Sequence, residues 1–150
     1  MARAIVASSI DRTERIDVRR LGWVGPLAIV AAVGATVLFT LIASGLAGVS
    51  PDYPALTPAA VAEVTAVCVL LAVGVFALVA RYARRPVRLY WQIALATLIL
   101  SFIPDLAMPY LDSPSITGAR EVVILMLNHV VAAAVCVPIL TGLARVPSAD

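Results

Sequence analysis

Apolar residues run through the chain in four long stretches, which are separated by short segments rich in proline and aspartate. The stretches cover residues 23–49, 59–80, 89–111 and 121–144. At about 1.5 Å per helical residue, each is long enough to cross roughly 30 Å of lipid hydrocarbon. Short connections make consecutive helices run antiparallel. The pattern therefore predicts an all-α, polytopic membrane protein with four transmembrane helices in an up-down-up-down bundle.

The composition agrees with a chain that is solvated by lipid. Apolar residues make up 62% and charged residues 13% of the 150 residues, and the mean hydropathy is +1.02. Soluble domains carry about 25% charged residues, which form their polar surface. This chain lacks the residues for such a surface. We expect a cytoplasmic N-terminal tail over residues 1–20, a membrane domain over 21–146 and a cytoplasmic tail over 147–150.

The arginines predict how the bundle is oriented. All eleven basic residues are arginines. Ten of them lie in the N-terminal segment, the loop between the second and third stretches, and the C-terminal tail, whereas Arg120 lies in a loop at the other side. By the positive-inside rule, both termini are predicted to be cytoplasmic. The absence of lysine indicates a GC-rich, actinomycete-type bacterium. Arginines at membrane flanks, without interleaved aromatic residues, argue against nucleic-acid binding.

Aromatic residues near the ends of the stretches are predicted to anchor the helices at the membrane interfaces. At the inner interface these are Trp23, Tyr82, Tyr90 and Trp91, and at the outer interface Tyr53 and Tyr110. Cys68 and Cys136 lie inside apolar runs and form no C-x-x-C pair, so we expect small, buried, apolar side chains there.

Three ionisable residues lie within the predicted spans, where charge costs free energy and therefore suggests a function. The antiparallel topology places Glu63, Asp105 and His129 in the outer half of the membrane. We predict that these candidate catalytic residues share a cavity open to the outer side. Asp105 would be the acid or proton carrier, with His129 as its partner. Asn128, beside the histidine, is a candidate ligand-binding residue.

Helical spacing extends this candidate site along the third helix. Thr97, Ser101 and Asp105 repeat every four residues and so share one face, which makes Ser101 and Thr97 further candidates for ligand binding. Pro104 lacks an amide hydrogen and would free the carbonyl of Leu100. We therefore expect a broken helix end here, lining the cavity.

Structural roles are an alternative for the same side chains. Asp105 could cap the last turn of the third helix, and Glu63 could be solvated at a helix N-terminus, where the dipole favours a negative charge. His129 could be a neutral, hydrogen-bonded packing residue. On the first helix, hydroxyl residues at the same spacing are predicted to pack against other helices, since small polar side chains let helices approach closely. They are Thr36, Thr40 and Ser44.

Motifs of known catalytic chemistry are absent from the sequence. It contains no G-x-S-x-G, H-E-x-x-H, P-loop or dinucleotide-binding pattern. We expect no cofactor and no metal. A haem would need a second ligand besides His129.

Two segments resemble a family of small actinobacterial four-helix membrane proteins of unknown function. The first is Phe102-Ile103-Pro104-Asp105-Leu106, near the end of the third span. The second is Leu127-Asn128-His129-Val130-Val131-Ala132-Ala133, followed by Pro138-Ile139-Leu140 in the fourth span. The resemblance implies a four-helix membrane fold and a location in the membrane, and it implies no activity.

Three functions are compatible with these features. The first is a non-enzymatic accessory or small-ligand-binding bundle, which contacts the lipid bilayer, an apolar small molecule, and a membrane partner or a second copy of itself. The second is a membrane-embedded cyclase or isomerase that protonates an apolar substrate with a carboxylic acid. The third is a small proton-coupled transporter. Small four-helix exporters rely on a carboxylate in the first helix, and this first helix has none.

Overall fold

The computed structural model of the protein describes residues 16–50, 52–111 and 117–144. This part of the chain forms four long helices, which are α1 (Leu21–Ala47), α2 (Pro58–Tyr82), α3 (Pro86–Leu111) and α4 (Ala119–Leu143). Each is long and apolar enough to cross a membrane. The all-α, four-helix fold predicted from the sequence is confirmed. Residues 1–15 of the predicted N-terminal tail, the predicted tail over 147–150 and the loop around Asp112 lie outside the described residues.

Local sequence signals set the ends of the helices. The hydroxyl of Thr57 caps α2 by accepting a hydrogen bond of 3.3 Å from a backbone N–H three residues on. Pro58 occupies the first turn, where no N–H donor is required. Gly48 caps the C-terminus of α1, and its φ of 66° is a left-handed conformation that glycine adopts without strain. Arg120 donates a 3.0 Å hydrogen bond to the carbonyl of Ala47, which ties the start of α4 to the end of α1.

The apolar core is concentrated at one end of the bundle. α1 packs most extensively against α4 and then α2, while α3 packs against α4 and α2. We name the end at which α1 starts and α4 ends the arginine end, because the arginines of the α2–α3 connection lie there. The main cluster at this end includes Leu21, Val24, Ala28, Phe76, Tyr90 and Leu140. A smaller cluster at the opposite end consists of Val49, Tyr53, Leu56 and Ile124.

Hydroxyl and amide side chains join the helices between these two clusters. The hydroxyls of Thr36 and Thr65 lie 3.2 Å apart and share a hydrogen bond between α1 and α2. Thr40 donates to Asn128 Oδ1 at 3.1 Å, and Asn128 Nδ2 lies 2.9 Å from Thr40 Oγ1. Both threonines of α1 are almost fully buried. The predicted packing role of this face of α1 is therefore confirmed for Thr36 and Thr40.

Residues just before α1 are part of the packed structure. Ile16 contacts the main core cluster, and the backbone N–H of Asp17 donates to the carbonyl of Ala144 at 3.1 Å. The Asp17 carboxylate also accepts a hydrogen bond from the backbone N–H of Arg19 at 2.9 Å and lies 3.9 Å from Arg20 Nε. The bundle therefore includes residues that the sequence analysis assigned to the N-terminal tail.

The expected break at the end of the third helix is wrong. α3 is helical from Pro86 to Leu111, with Pro104 and Pro109 inside it. In lipid, an open backbone leaves polar groups without partners, which favours a continuous helix even across proline. Asp105 is therefore held on a regular helix, whose spacing fixes the direction of its side chain.

Three side chains differ in burial from the sequence-based expectation. Tyr90 is buried, with its ring edge to face against Phe76 and 4.7 Å between centroids. Tyr53 is buried and shares a 2.9 Å hydrogen bond with the hydroxyl of Thr117. Cys68 is exposed, whereas Cys136 is buried as expected. An apolar run does not distinguish a lipid-facing position from a core position, which explains these errors.

Candidate functional site

Asp105 and His129 meet across the interface between α3 and α4, which we name the α3–α4 seam. Asp105 Oδ2 lies 3.2 Å from His129 Nδ1. The Asp105 side chain is 9% exposed and that of His129 is 33% exposed. The carboxylate is thus covered by the protein, while part of the imidazole reaches the surface of the bundle. A titratable pair that is half buried at a helix seam is a candidate functional site.

The hydrogen bonds of His129 restrict its protonation state. Nδ1 lies 2.9 Å from the backbone carbonyl of Leu125, one turn earlier in α4. A carbonyl oxygen can only accept, so this contact requires the proton of the ring on Nδ1. Asp105 Oδ2 is buried and has no aligned hydrogen bond to any residue that the structure describes, although Nδ1 is close. The N–H is therefore directed mainly to Leu125, and the carboxylate interacts with its positive end.

The second ring nitrogen of His129 differs from the first in its contacts. Nε2 makes no hydrogen bond within the described part of the chain, where the ring contacts are made through Nδ1. In the neutral ring Nε2 accepts a hydrogen bond, and in the protonated ring it donates one. The nearby carboxylate stabilises both forms of the ring that carry a proton on Nδ1, which are the neutral Nδ1-protonated ring and the doubly protonated ring. The arrangement can therefore bind a hydroxyl or transfer a proton at Nε2.

The remaining candidates of the third helix lie at different depths of burial. Ser101 is half-buried, and its hydroxyl donates to the carbonyl of Leu98 at 2.7 Å. Thr97 is exposed. Residues four apart drift by about 40° around a helix of 3.6 residues per turn, so a face that starts at the seam turns away from it after two steps. Only the Asp105 end of this face reaches His129.

Asn128 and Glu63 lie apart from the pair. Asn128 is buried against Thr40 of α1, with both ends of its amide in hydrogen bonds. Glu63 is exposed on α2 and makes no hydrogen bond or ion pair with Asp105, His129 or another described residue. The structure thus brings together two of the three predicted ionisable residues.

An apolar groove follows the same seam toward the arginine end. Its volume is about 640 Å³, and it is open to the surroundings of the bundle. Arg88, Trp91, Leu95 and Leu98 line it from α3, and Val130, Ala133, Ala134 and Val137 from α4. Asp105 follows Leu98 by two helical turns, about 10 Å along the axis. Val130, which lines the groove from α4, directly follows His129, so the groove and the Asp105–His129 pair are neighbouring parts of one seam.

Sequence reasoning found the pair but missed its surroundings. The Leu125 carbonyl, which fixes the proton on Nδ1, is a backbone group and leaves no signal in the sequence. The groove residues are apolar residues at helical spacing, a pattern shared by every lipid-facing surface of this chain. What these residues share is that they line a space between α3 and α4, and the existence of that space depends on how the two helices pack.

These features define a multi-pass α-helical membrane protein with a titratable pair inside its bundle. The chain belongs to DUF6069, a family of unknown function whose model matches residues 16–146. The match begins at Ile16, which contacts the main core cluster. No curated protein matches the chain, and no solved structure matches it.

Proposed function

We propose that the protein is a non-enzymatic bundle that binds a small amphiphilic molecule through the Asp105–His129 pair. The observation that carries this proposal is the position of His129, whose Nδ1 is occupied while its ring is 33% exposed. Nε2 is then available to a hydroxyl or amine group presented from the lipid. An alkyl chain attached to that group would remain in hydrocarbon, where it loses no hydrophobic stabilisation.

The polar interaction would be strong because the pair lies in an apolar region. A hydrogen bond in a medium of low dielectric is stronger than in water, and an unpaired polar group there is costly. A membrane-dissolved alcohol has such an unpaired group until it meets Nε2. The charge of Asp105 supports the interaction, because it stabilises the tautomer that the Leu125 carbonyl fixes and that leaves Nε2 as an acceptor.

The placement of Glu63 favours binding over catalysis. The cyclase or isomerase alternative requires carboxylates that converge on one apolar cavity, whereas Glu63 is exposed on α2 and does not contact the pair within the described residues. The transporter alternative lacks a carboxylate within α1.

The single histidine of the chain provides a direct test. The protein is labelled with ¹⁵N-histidine and placed in lipid nanodiscs, and the ring nitrogens are observed by NMR. We expect an Nδ1-protonated ring. Addition of 1-dodecanol should shift Nε2 because it gains a hydrogen bond, whereas dodecane should have no effect.

Two matched variants test the role of the carboxylate. Asp105→Asn removes the negative charge beside Nδ1 and should weaken the response to dodecanol at least several-fold. Glu63→Gln removes a carboxylate at an exposed position and should leave the response unchanged. Equal responses to dodecanol and dodecane would contradict the proposal.

We also propose a location in the cytoplasmic membrane of a bacterium, with both termini in the cytoplasm. The arginine asymmetry supports this orientation, and it places the Asp105–His129 pair in the outer half of the bilayer. Reporter fusions after Arg85 and after Asp150 should be cytoplasmic, and fusions after Pro54 and after Ser115 should lie outside. The opposite pattern would reverse the orientation of the site.

A further inference from the structure

We propose that the groove at the α3–α4 seam binds one anionic glycerophospholipid, with its phosphate at the arginine end and one acyl chain along the groove. Asp105 and His129 do not line the groove, so this site does not depend on the function proposed above.

The arginine end of the groove carries unpaired positive charge. A second cavity of about 500 Å³ is lined by Arg84, Arg85, Arg88 and Gln92, and it shares Arg88 and Gln92 with the groove. The three arginines are exposed, and none of them forms an ion pair with another described residue. The two cavities therefore form a continuous surface that is basic at one end and apolar along its length.

The chemistry of these residues matches a phosphate group. The guanidinium group presents a fixed fork of donors that binds phosphate oxygens in pairs. The N-terminus of α3 begins at Pro86, between these arginines, and its dipole adds positive potential at the same place. Basic pockets between transmembrane helices at the membrane surface are suited to anionic lipid headgroups.

The length of the groove matches one lipid leaflet. Arg88 and Leu98 are ten residues apart on α3, which corresponds to about 15 Å along the helix axis. Half of the hydrocarbon thickness of a bilayer is also roughly 15 Å. Trp91 lines the groove near its basic end and is half exposed, as expected for a side chain at the headgroup level. A lipid whose phosphate meets Arg88 would thus lay its acyl chain along the apolar walls.

Charge favours a lipid over a second copy of the chain as the occupant. A symmetric dimer through this surface would bring the same arginines of both copies together, and like charges repel. The nearby carboxylate of Asp17 is already engaged with Arg20 and with the backbone of Arg19. An anionic lipid supplies the missing negative charge and also covers the apolar walls.

The two tryptophans of the chain allow a direct measurement. Trp23→Phe leaves Trp91 as the single reporter in the groove. The variant is reconstituted into vesicles of phosphatidylcholine and phosphatidylglycerol in which either lipid carries bromine, which quenches a tryptophan in contact. At equal mole fractions, brominated phosphatidylglycerol should quench Trp91 more than brominated phosphatidylcholine.

A pair of arginine variants separates the site from general attraction to an anionic surface. Arg88→Gln should lower the preference for phosphatidylglycerol about fivefold, the effect of one arginine near anionic lipid. Arg81→Gln removes another exposed arginine at the same end, outside the groove, and should change the preference for phosphatidylglycerol little. Equal effects of the two substitutions would overturn the proposal.

Two further arms test the acyl chain. Ala134→Phe fills the groove at an exposed position and should reduce the preference without changing any charge. Excess inorganic phosphate should leave most of the preference for phosphatidylglycerol intact. If phosphate abolished that preference, the assignment of a lipid to the groove would be overturned. Asp105→Asn should retain the preference, which separates this result from a failure of the amphiphile-binding function.

Discussion

The α1–α4 interface and the α3–α4 seam use polar side chains in opposite ways. At the first, Thr40 and Asn128 satisfy each other through two contacts of 2.9 and 3.1 Å, and both are buried. At the second, Asp105 lies 3.2 Å from a histidine whose ring proton is already directed to a backbone carbonyl. The first is a closed pair, by which we mean that its two side chains hydrogen-bond to each other at both contacts. In the second pair, Nε2 of His129 has no hydrogen bond to another described residue.

The packing of the helices follows the same division. In the most apolar 18-residue segment of each helix, 22% of the residues of α1 and 28% of those of α4 are buried inside the bundle. In α3 the buried share is only 6%. A well-packed interface with a fully satisfied polar pair serves stability. A loosely packed seam with an incompletely satisfied titratable pair can exchange its partners, so it is the better place for a ligand. The difference predicts which substitutions affect folding and which affect binding.

The largest effect on stability is expected at the closed interface. Thr40→Leu adds volume at a fully buried position and removes both contacts with Asn128. Overpacking of this kind typically costs about 1–3 kcal/mol. Thr97→Leu makes the same chemical change at an exposed position of α3 and should cost nothing measurable.

The free energies of unfolding can be compared for the purified proteins in mixed detergent micelles titrated with SDS. Equal losses from Thr40→Leu and Thr97→Leu would contradict the division between the interface and the seam. A stable Thr40→Leu protein would show that this part of α1 tolerates added volume, although Thr40 is only 1% exposed.

Apolar runs and their breaks were sufficient to predict the fold. A membrane-spanning helix must satisfy its own backbone hydrogen bonds, so length and hydrophobicity alone identify it. The predicted spans agree with the four helices of the described chain to within three residues at every end. The break predicted at Pro104 failed for a related reason, since the same requirement keeps α3 helical past the proline.

The candidate site was less predictable because it depends on rotation about the helix axes. Depth in the membrane follows from position in the sequence, and it placed Glu63 and Asp105 in the same half of the bilayer. The direction of each side chain follows from helix packing, which places Glu63 on the exposed side of α2. Periodicity does not supply this direction here, since apolar residues surround each helix on all sides.

Coupling energies would sharpen the comparison between the two pairs. Double-mutant cycles are made with Thr40→Ala and Asn128→Ala, and with Asp105→Ala and His129→Ala. For the closed pair we expect a coupling of about 0.6 kcal/mol, and at most about 1.7 kcal/mol, the average and the maximum of hydrogen bonds between membrane helices. For the seam pair at neutral pH we expect a smaller value, because the ring N–H is directed mainly to Leu125.

The dependence of these couplings on pH distinguishes the pairs further. Neither Thr40 nor Asn128 titrates, so their coupling should be the same from pH 8 to pH 5. Asp105 and His129 both carry titratable groups, and the attraction between them depends on the charge of each, so the seam coupling should change with pH. A seam coupling that stays constant over this range would show that the pair does not change its charge, and His129 would then be a packing residue with the same role as Asn128.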